Sequence, residues 1–271
     1  NGAEETYCVE CMMHDRKALQ AGTSHYFGDG FAKAFDITFT GTDNQLHYPH
    51  QTSWGVSTRL IGGIIMTHGD DNGLVLPPRI APVQAVVIPI AQHKPGVLDA
   101  AGGLLERLEK AGVRAKMDGS DKAPGWKFAE YEMRGVPLRV EIGPKDMEKE
   151  QCCIARRDTG EKNFVPLAEL ESTVAALLDA IHENMFAMAK KNLEDNSCTA
   201  ETLDQVKEIT GRLGGGFVHT KWCGELACEL AMKEQAGVTS RCMPLHQSGT
   251  AGKCPVCGKD CATDIIWGVA Y

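Results

Sequence analysis

The sequence predicts a multidomain chain of mixed class, an α/β body with a mixed sheet set between two α+β segments. Three observations lead there. Strand and helix patterns alternate through residues 81–193, as they do in an α/β unit. Residues 1–80 alternate short apolar stretches with loops rich in Gly, Thr, Ser and His, the pattern of a sheet that carries a site. Residues 194–271 hold most of the cysteines among short strands and helices, the pattern of a small α+β unit. Domain boundaries are therefore expected at 80/81 and 193/194.

Within residues 1–80, Ala32–Phe39 and Gly62–Thr67 read as strands or strand-adjacent segments, and no clean amphipathic helix exceeds about two turns. Gln84–Ile90 is a continuous apolar run, expected as a central strand. Val97, Ala101, Leu104, Leu105 and Leu108 recur at helical spacing, and Gly112 stops that helix. Val113–Met117 is a short strand, and Phe128–Met133 is helical up to Gly135. Val136–Ile142 alternates apolar and polar residues as a half-buried strand does, and Cys152–Ala155 is another strand. A long helix then begins near Pro166, with Leu167, Leu170, Val174, Leu177, Leu178, Ile181, Met185 and Met188 on its buried face. Further on, Thr199–Arg212 reads as a helix capped by Thr199, broken at Gly214–Gly216.

Bulk composition narrows the function. The chain has 271 residues, 43% hydrophobic and 24% charged, enough for two or three compact units. No apolar run reaches the length of a membrane span. A net charge of −8 argues against a general DNA or RNA coat, because phosphate contacts dominate such binding, yet it leaves room for one local RNA site. Eleven cysteines in so long a chain point to a reducing, intracellular compartment. The first residue is Asn1 rather than Met, and an N-terminal portion is expected upstream of it.

The clearest chemical signal lies in the tail. Cys223 and Cys228 form C-x4-C, and Cys254 and Cys257 form C-x2-C followed by Gly258. Two such pairs can converge on one tetrahedral Zn²⁺, whose four thiolates stand in for a hydrophobic core and leave no open catalytic position. The competing reading is reduced cysteines packed as small hydrophobes. Cys242 and Cys261 are spare candidates. Cys8 and Cys11 form a C-x2-C pair with no second pair close in sequence. Cys152 and Cys153 are adjacent in a strand and face opposite ways.

Two further segments carry polar side chains densely. Gln20-Ala21-Gly22-Thr23-Ser24-His25 suits a small polar ligand or a capped turn. Gly62–Gln84 is glycine-rich and ends near Arg79, read either as a nucleotide site or as a strand, a turn at Asp71-Asn72-Gly73 and a surface arginine. Gly214-Gly215-Gly216 lacks dinucleotide-fingerprint spacing.

ALQAGTSHYFG, FAKAFDI and TSWGVSTRLIGGIIMTHGDDNGLVLPPRIAP together resemble the prolyl-tRNA synthetases of the archaeal and eukaryotic-like type. The last segment resembles class II motif 3. The resemblance continues through GWKFAEYEMRGVPLRVEIGPKDMEKEQCCIARRDTGEK, similar to the family's anticodon-binding domain, and through WCGELACE, SRCMP, GKCPVCGK and the terminal Tyr271, similar to its zinc domain. It implies an antiparallel class II catalytic domain ending near residue 80, an α/β anticodon-binding domain, and a small α+β zinc domain whose terminal carboxylate turns toward the catalytic body. Motifs 1 and 2 are absent. Cys11 stands where the family usually has Ala, and GDGF stands for GQNF.

The implied function is a cytoplasmic proline–tRNA ligase, which joins proline to ATP with Mg²⁺ as prolyl-adenylate and passes it to tRNA(Pro). The whole enzyme is expected as a homodimer with no membrane or DNA partner. The resemblance gives Arg79 the catalytic, ATP-holding role. It sets Gln20 and Thr23 along the adenylate, His25 in the proline pocket, and Ser53, Trp54 and Gly55 close to substrate. Proline anticodons end in two guanines, whose base edges call for both acids and cations. Glu132, Arg139, Asp146 and Lys162 match the family's anticodon readers. A non-catalytic tRNA-binding paralogue is the alternative reading.

Overall fold

The computed structural model describes residues 2–271 apart from the side chain of Leu213. Asn1, the first residue of the first expected domain, lies outside the described residues. The chain divides into two compact units. One comprises the residues up to Gly63 together with Asn192–Tyr271, and the other is Ile64–Lys191. Neither limit of the second unit coincides with the expected boundaries.

The first unit opens with β1 (Glu5–Met12) and β2 (Ala18–Gly28). Helix α1 (Gly30–Ala34) and a small hairpin of β3 (Phe39–Thr40) and β4 (Leu46–His47) lead to β5 (Gln51–Val56). The sheet is antiparallel in the order β1-β2-β5, so Gln20–His25 forms part of the middle strand rather than a turn. Helix α2 (Arg59–His68) follows. Gly62–Thr67 is therefore helical, not a strand, and Ala32–Phe39 is shared between the end of α1 and the first residue of β3. Two glycines and two isoleucines give Gly62–Ile65 a low helix propensity, but packing overrides it. Gly63 is buried against Leu19 of β2, and a Cβ there would stand only 3.2 Å from Leu19 Cδ2.

The second unit contains β6 (Ala85–Pro89), α3 (Val97–Lys110), β7 (Ala115–Met117), α4 (Pro124–Met133) and β8 (Leu138–Ile142). It continues with α5 (Pro144–Glu148), β9 (Gln151–Arg156), β10 (Lys162–Pro166) and α6 (Leu170–Asp195), which runs on into the first unit. Its five strands lie in the order β10-β9-β8-β6-β7. β6 runs parallel to β7 and β8, while β9 is antiparallel to β8 and β10, so the sheet is mixed as expected. One face packs Val87, Leu138, Val140, Cys152, Ile154 and Val165 against α3 and α6. Each such side chain contributes about 1.5–3 kcal/mol on burial. On the other face α4 covers Val86 and Ile88 through Tyr131 and Phe128.

The buried stripe of α6 ends at Met185, and Met188 is 60% exposed, contrary to the expected pattern. A helix of 26 residues runs about 39 Å, whereas a six-residue strand runs about 20 Å, so α6 outlasts the sheet beneath it. β10 itself escaped the sequence pattern, because KNFVP is short and ends in Pro.

Residues 64–80 belong to the second unit for identifiable reasons. The N–H groups of Leu74 and Leu76 donate to the carbonyls of Met133 and Gly135. Gly73 has φ +130°, and a Cβ there would lie 2.5 Å from the Met133 Cα, so only glycine permits this approach. Arg157 donates through both terminal nitrogens to the Asp70 carboxylate and through Nε to the Glu132 carbonyl. Arg114 donates to the carbonyls of Pro78, Arg79 and Ala81.

The rest of the first unit comprises β11 (Ser197–Thr199), α7 (Leu203–Leu213), β12 (Phe217–Trp222), α8 (Leu226–Ala236) and β13 (Thr239–Cys242), then β14 (Gly252–Lys253), β15 (Asp260–Cys261) and β16 (Thr263–Gly268). Their main sheet has the order β11-β12-β16-β13. Thr199 ends a strand and does not cap the helix. Thr202 does, through a capping box with Gln205 that satisfies donors at both ends of the first turn. Trp267 is wholly buried, and its indole N–H donates to Thr220 Oγ1 at 2.9 Å. The tail is tied to the β1–β2 hairpin: Ala18 N–H donates to the Val269 carbonyl, Tyr271 Oη donates to Asp15 Oδ1 at 2.6 Å, and Met12, Ala18 and Phe217 share a small core.

Candidate functional site

Three groups of residues carry chemistry. The first is on the β1-β2-β5 sheet. Register sets His25 opposite Ser53, Thr23 opposite Gly55 and Ser24 opposite Trp54, so two segments distant in sequence become one surface. Strand alternation puts Thr23, His25 and Ser53 on one face and Trp54 on the other. His25 Nδ1 hydrogen-bonds Thr6 Oγ1 at 2.9 Å. Gln20, Thr23, Gly55 and Arg59 line a cleft of about 280 Å³, and Arg59 Nη1 donates to the Gln20 carbonyl at 3.2 Å. Trp54 is 74% exposed beside an adjoining apolar recess lined by Tyr7, Val9, Val56 and Leu60.

Arg79 is an exposed residue of the second unit, and its carbonyl accepts from Arg114. The cation that does line the cleft is Arg59, which sequence reasoning passed over. The available signal was its place six residues after Ser53 in the same glycine-containing segment.

The second group lies on the face of the mixed sheet that α4 partly covers. Glu132, Arg139 and Lys162 come together with Arg156 and Arg157 around a small cleft of about 80 Å³. The guanidinium of Arg139 lies 4.1 Å from the centroid of the Phe128 ring, and the Lys162 ammonium lies 5.3 Å from it. Glu141 holds both cations, accepting from Arg139 Nε at 2.8 Å with Lys162 Nζ at 3.5 Å. The Phe128 ring, the cations of Arg139 and Lys162 and the carboxylates of Glu132 and Glu141 converge here. Such a surface can stack a nucleobase and bind its donor and acceptor edge at once. Asp146 is not among the residues lining the cleft. Its carboxylate accepts from the Gly143 N–H at 3.0 Å and caps α5. Phe128 and Glu141 belong to the group, yet nothing in their spacing marks them.

The third group is the cysteine quartet. The sulfurs of Cys223, Cys228, Cys254 and Cys257 all lie within 4.8 Å of one another, and those of Cys223 and Cys257 are 3.7 Å apart. A tetrahedral metal with bonds near 2.3 Å has sulfur–sulfur edges of about 3.8 Å, so the quartet fits zinc. Burial pushes the Cys228 thiol up. Burial also acts to raise Cys254, but the backbone N–H groups of Cys257 and Val256 and its neighbour Cys223 outweigh it and bring Cys254 down to about 7. Gly258, at φ +71°, takes the left-handed position that closes the turn, and its N–H donates to the Cys254 carbonyl. Cys242 and Cys261 lie in β13 and β15, outside the quartet. Among the described residues no helix is long and apolar enough to cross a membrane.

Comparison with known proteins assigns two of these regions. Residues 84–177 match the family model described as an anticodon binding domain, and residues 203–271 match that of the prolyl-tRNA synthetase C-terminal domain. The chain is 56% identical over 270 residues to proteins named proline–tRNA ligase from Clostridium novyi and Ruminiclostridium cellulolyticum. It is 53% identical to one named proline–tRNA ligase 2 from Bacillus cereus. In each case the match covers 100% of this chain and 56% of the relative. The chain thus spans about half the length of the curated relatives it matches.

Proposed function

We propose that this chain, which carries the sequence of the prolyl-tRNA synthetase family along its whole length, is the part of a proline–tRNA ligase that reads the anticodon and completes the adenylate site. The observation that carries the reading is the convergence of Phe128 and Glu132 of α4 with Arg139 of β8 and Lys162 of β10 inside the matched anticodon-binding domain. A guanine edge offers N–H donors and an acceptor O6. Glu132 can take the former, Arg139 and Lys162 the latter, and Phe128 can back the ring.

In the whole enzyme the reaction is proline activation by ATP and transfer to tRNA(Pro). The chemistry is in-line displacement at the α-phosphate, governed by positioning and by cations facing the developing charge. Arg59 takes the electrostatic role assigned at first to Arg79, because it lines the cleft with Gln20 and Thr23. His25 and Ser53 orient substrate from the shared sheet face. Zinc in the cysteine quartet is structural, since four thiolates leave no open position. The dimer and the cytoplasmic location rest on the family resemblance alone.

The test is tRNA binding by fluorescence anisotropy at stated salt. An intact proline anticodon is expected to bind better than one with both guanines replaced, and Arg139→Ala is expected to abolish the preference. Equal binding of both transcripts would remove the anticodon assignment.

A further inference from the structure

The sheet face that carries the anticodon cleft extends one row beyond it. Register sets Val86, Arg139, Ala155 and Lys162 side by side across β6, β8, β9 and β10. The next row on the same face is Ile88, Glu141, Cys153 and Phe164. Ile88 and Cys153 are buried, whereas Phe164, at the open end, is 66% exposed. The core does not need this ring, because Val165, pointing the other way, fills the core position of β10. Nor does strand formation need it, since β10 is an edge strand among the described residues, where a bare apolar ring is a liability.

We propose that Phe164 is a stacking platform for an unpaired RNA base adjacent to the guanine pair, a third nucleotide contact of this domain. The proposal rests on the anticodon reading and deepens it. Lys162 and Phe164 are two residues apart on one strand, so their side chains are separated by roughly 6.6 Å along it. Stacked bases follow one another at about 3.4 Å. A base on Phe164 therefore belongs to a nucleotide splayed away from the one at Lys162. Sheet surfaces with exposed aromatic rings bind single-stranded RNA in this manner. The face is continuous with the cleft, and the charged side chains there are Arg139, Glu141 and Lys162. Stacking tolerates any base, so Phe164 contributes affinity and not sequence choice.

The experiment uses anticodon stem-loops that keep the two guanines and carry 2-aminopurine at the base on either side of the pair. Each is titrated with the wild-type chain, Phe164→Ala and Phe164→Tyr. One labelled loop is expected to change fluorescence on binding wild type and Phe164→Tyr but not Phe164→Ala. Phe164→Ala is also expected to weaken binding roughly 5- to 150-fold while keeping the preference for guanines. Unchanged affinity and signal in Phe164→Ala, with the preference intact, overturns this proposal alone. Loss of guanine preference in the wild-type chain overturns the anticodon reading and the proposal with it. A dimer that Phe164→Ala dissolves without altering RNA affinity assigns the ring to a protein contact and equally overturns it.

Discussion

The guanidinium carbon of Arg139 lies 4.1 Å from the Phe128 ring centroid, while its Nε donates to Glu141. A guanidinium can meet the ring and the Glu141 carboxylate at once through its several N–H groups, which a lysine ammonium reproduces less well. Arg139→Lys is therefore expected to weaken anticodon stem-loop binding by about 1–2 kcal/mol although the charge is kept. Anisotropy titrations at fixed salt measure it. Full affinity in the lysine variant would reduce Arg139 to a point charge.

Arg59 and Arg79 separate cleanly by mutation. In the full-length protein, Arg59→Ala is expected to lower proline-dependent pyrophosphate exchange by about 10²–10³-fold, the cost of removing one group aimed at developing charge. Arg79→Ala is expected to change it little, because Arg59 supplies the cation that lines the cleft with Gln20 and Thr23. The reverse result would restore Arg79 to the catalytic role.

Metal content tests the quartet. Cys254→Ser is expected to strip zinc and lower the thermal stability of the unit that contains residues 192–271, and a strong chelator should do the same to wild type. Cys242→Ser, outside the quartet, is expected to retain the metal. Atomic emission and a melting curve on the same samples decide it, and zinc retained by Cys254→Ser would remove that residue from the ligand set.

Arg107 of α3 grips Glu171 of α6 through Nε and Nη2 at 2.6 and 2.7 Å. This hydrogen-bonded guanidinium, chiefly, holds the Glu171 carboxyl down to about 2 from an ordinary 4.5. A carboxylate depressed in the folded state stabilises it above its unfolded pKa and loses that contribution as pH falls toward the folded one. Both side chains are about a third exposed, so solvent limits the contribution to about 1 kcal/mol or less. Glu171→Gln is expected to be less stable than wild type at pH 7, with the gap closing between pH 4.5 and 2. Urea unfolding across that range measures it, and a gap independent of pH would dissociate Glu171 from the effect.

Local patterns were the legible part of the chain. β6, α3, β8 and β9 follow from apolar periodicity because each element buries one face over consecutive residues. The cysteine quartet follows from spacing, since Cys254 and Cys257 share one turn and Cys223 and Cys228 stand five residues apart where the chain enters α8. Less legible were α2, where packing of Gly63 against Leu19 outweighs propensity, and β10, which exists only through its pairing with β9.

The sequence by itself determined the cysteine pairs of the tail, the mixed α/β body and the resemblance that ties the chain to its relatives. Only the tertiary structure decided that Arg59 lines a cleft with Gln20 and Thr23, that Asp146 caps a helix, and that Phe128 and Glu141 contact Arg139 and Lys162. The physical reason is range. Caps, helical stripes and thiol pairs are set by neighbours a few residues apart, whereas a cleft collects side chains from separate strands whose register no local pattern specifies.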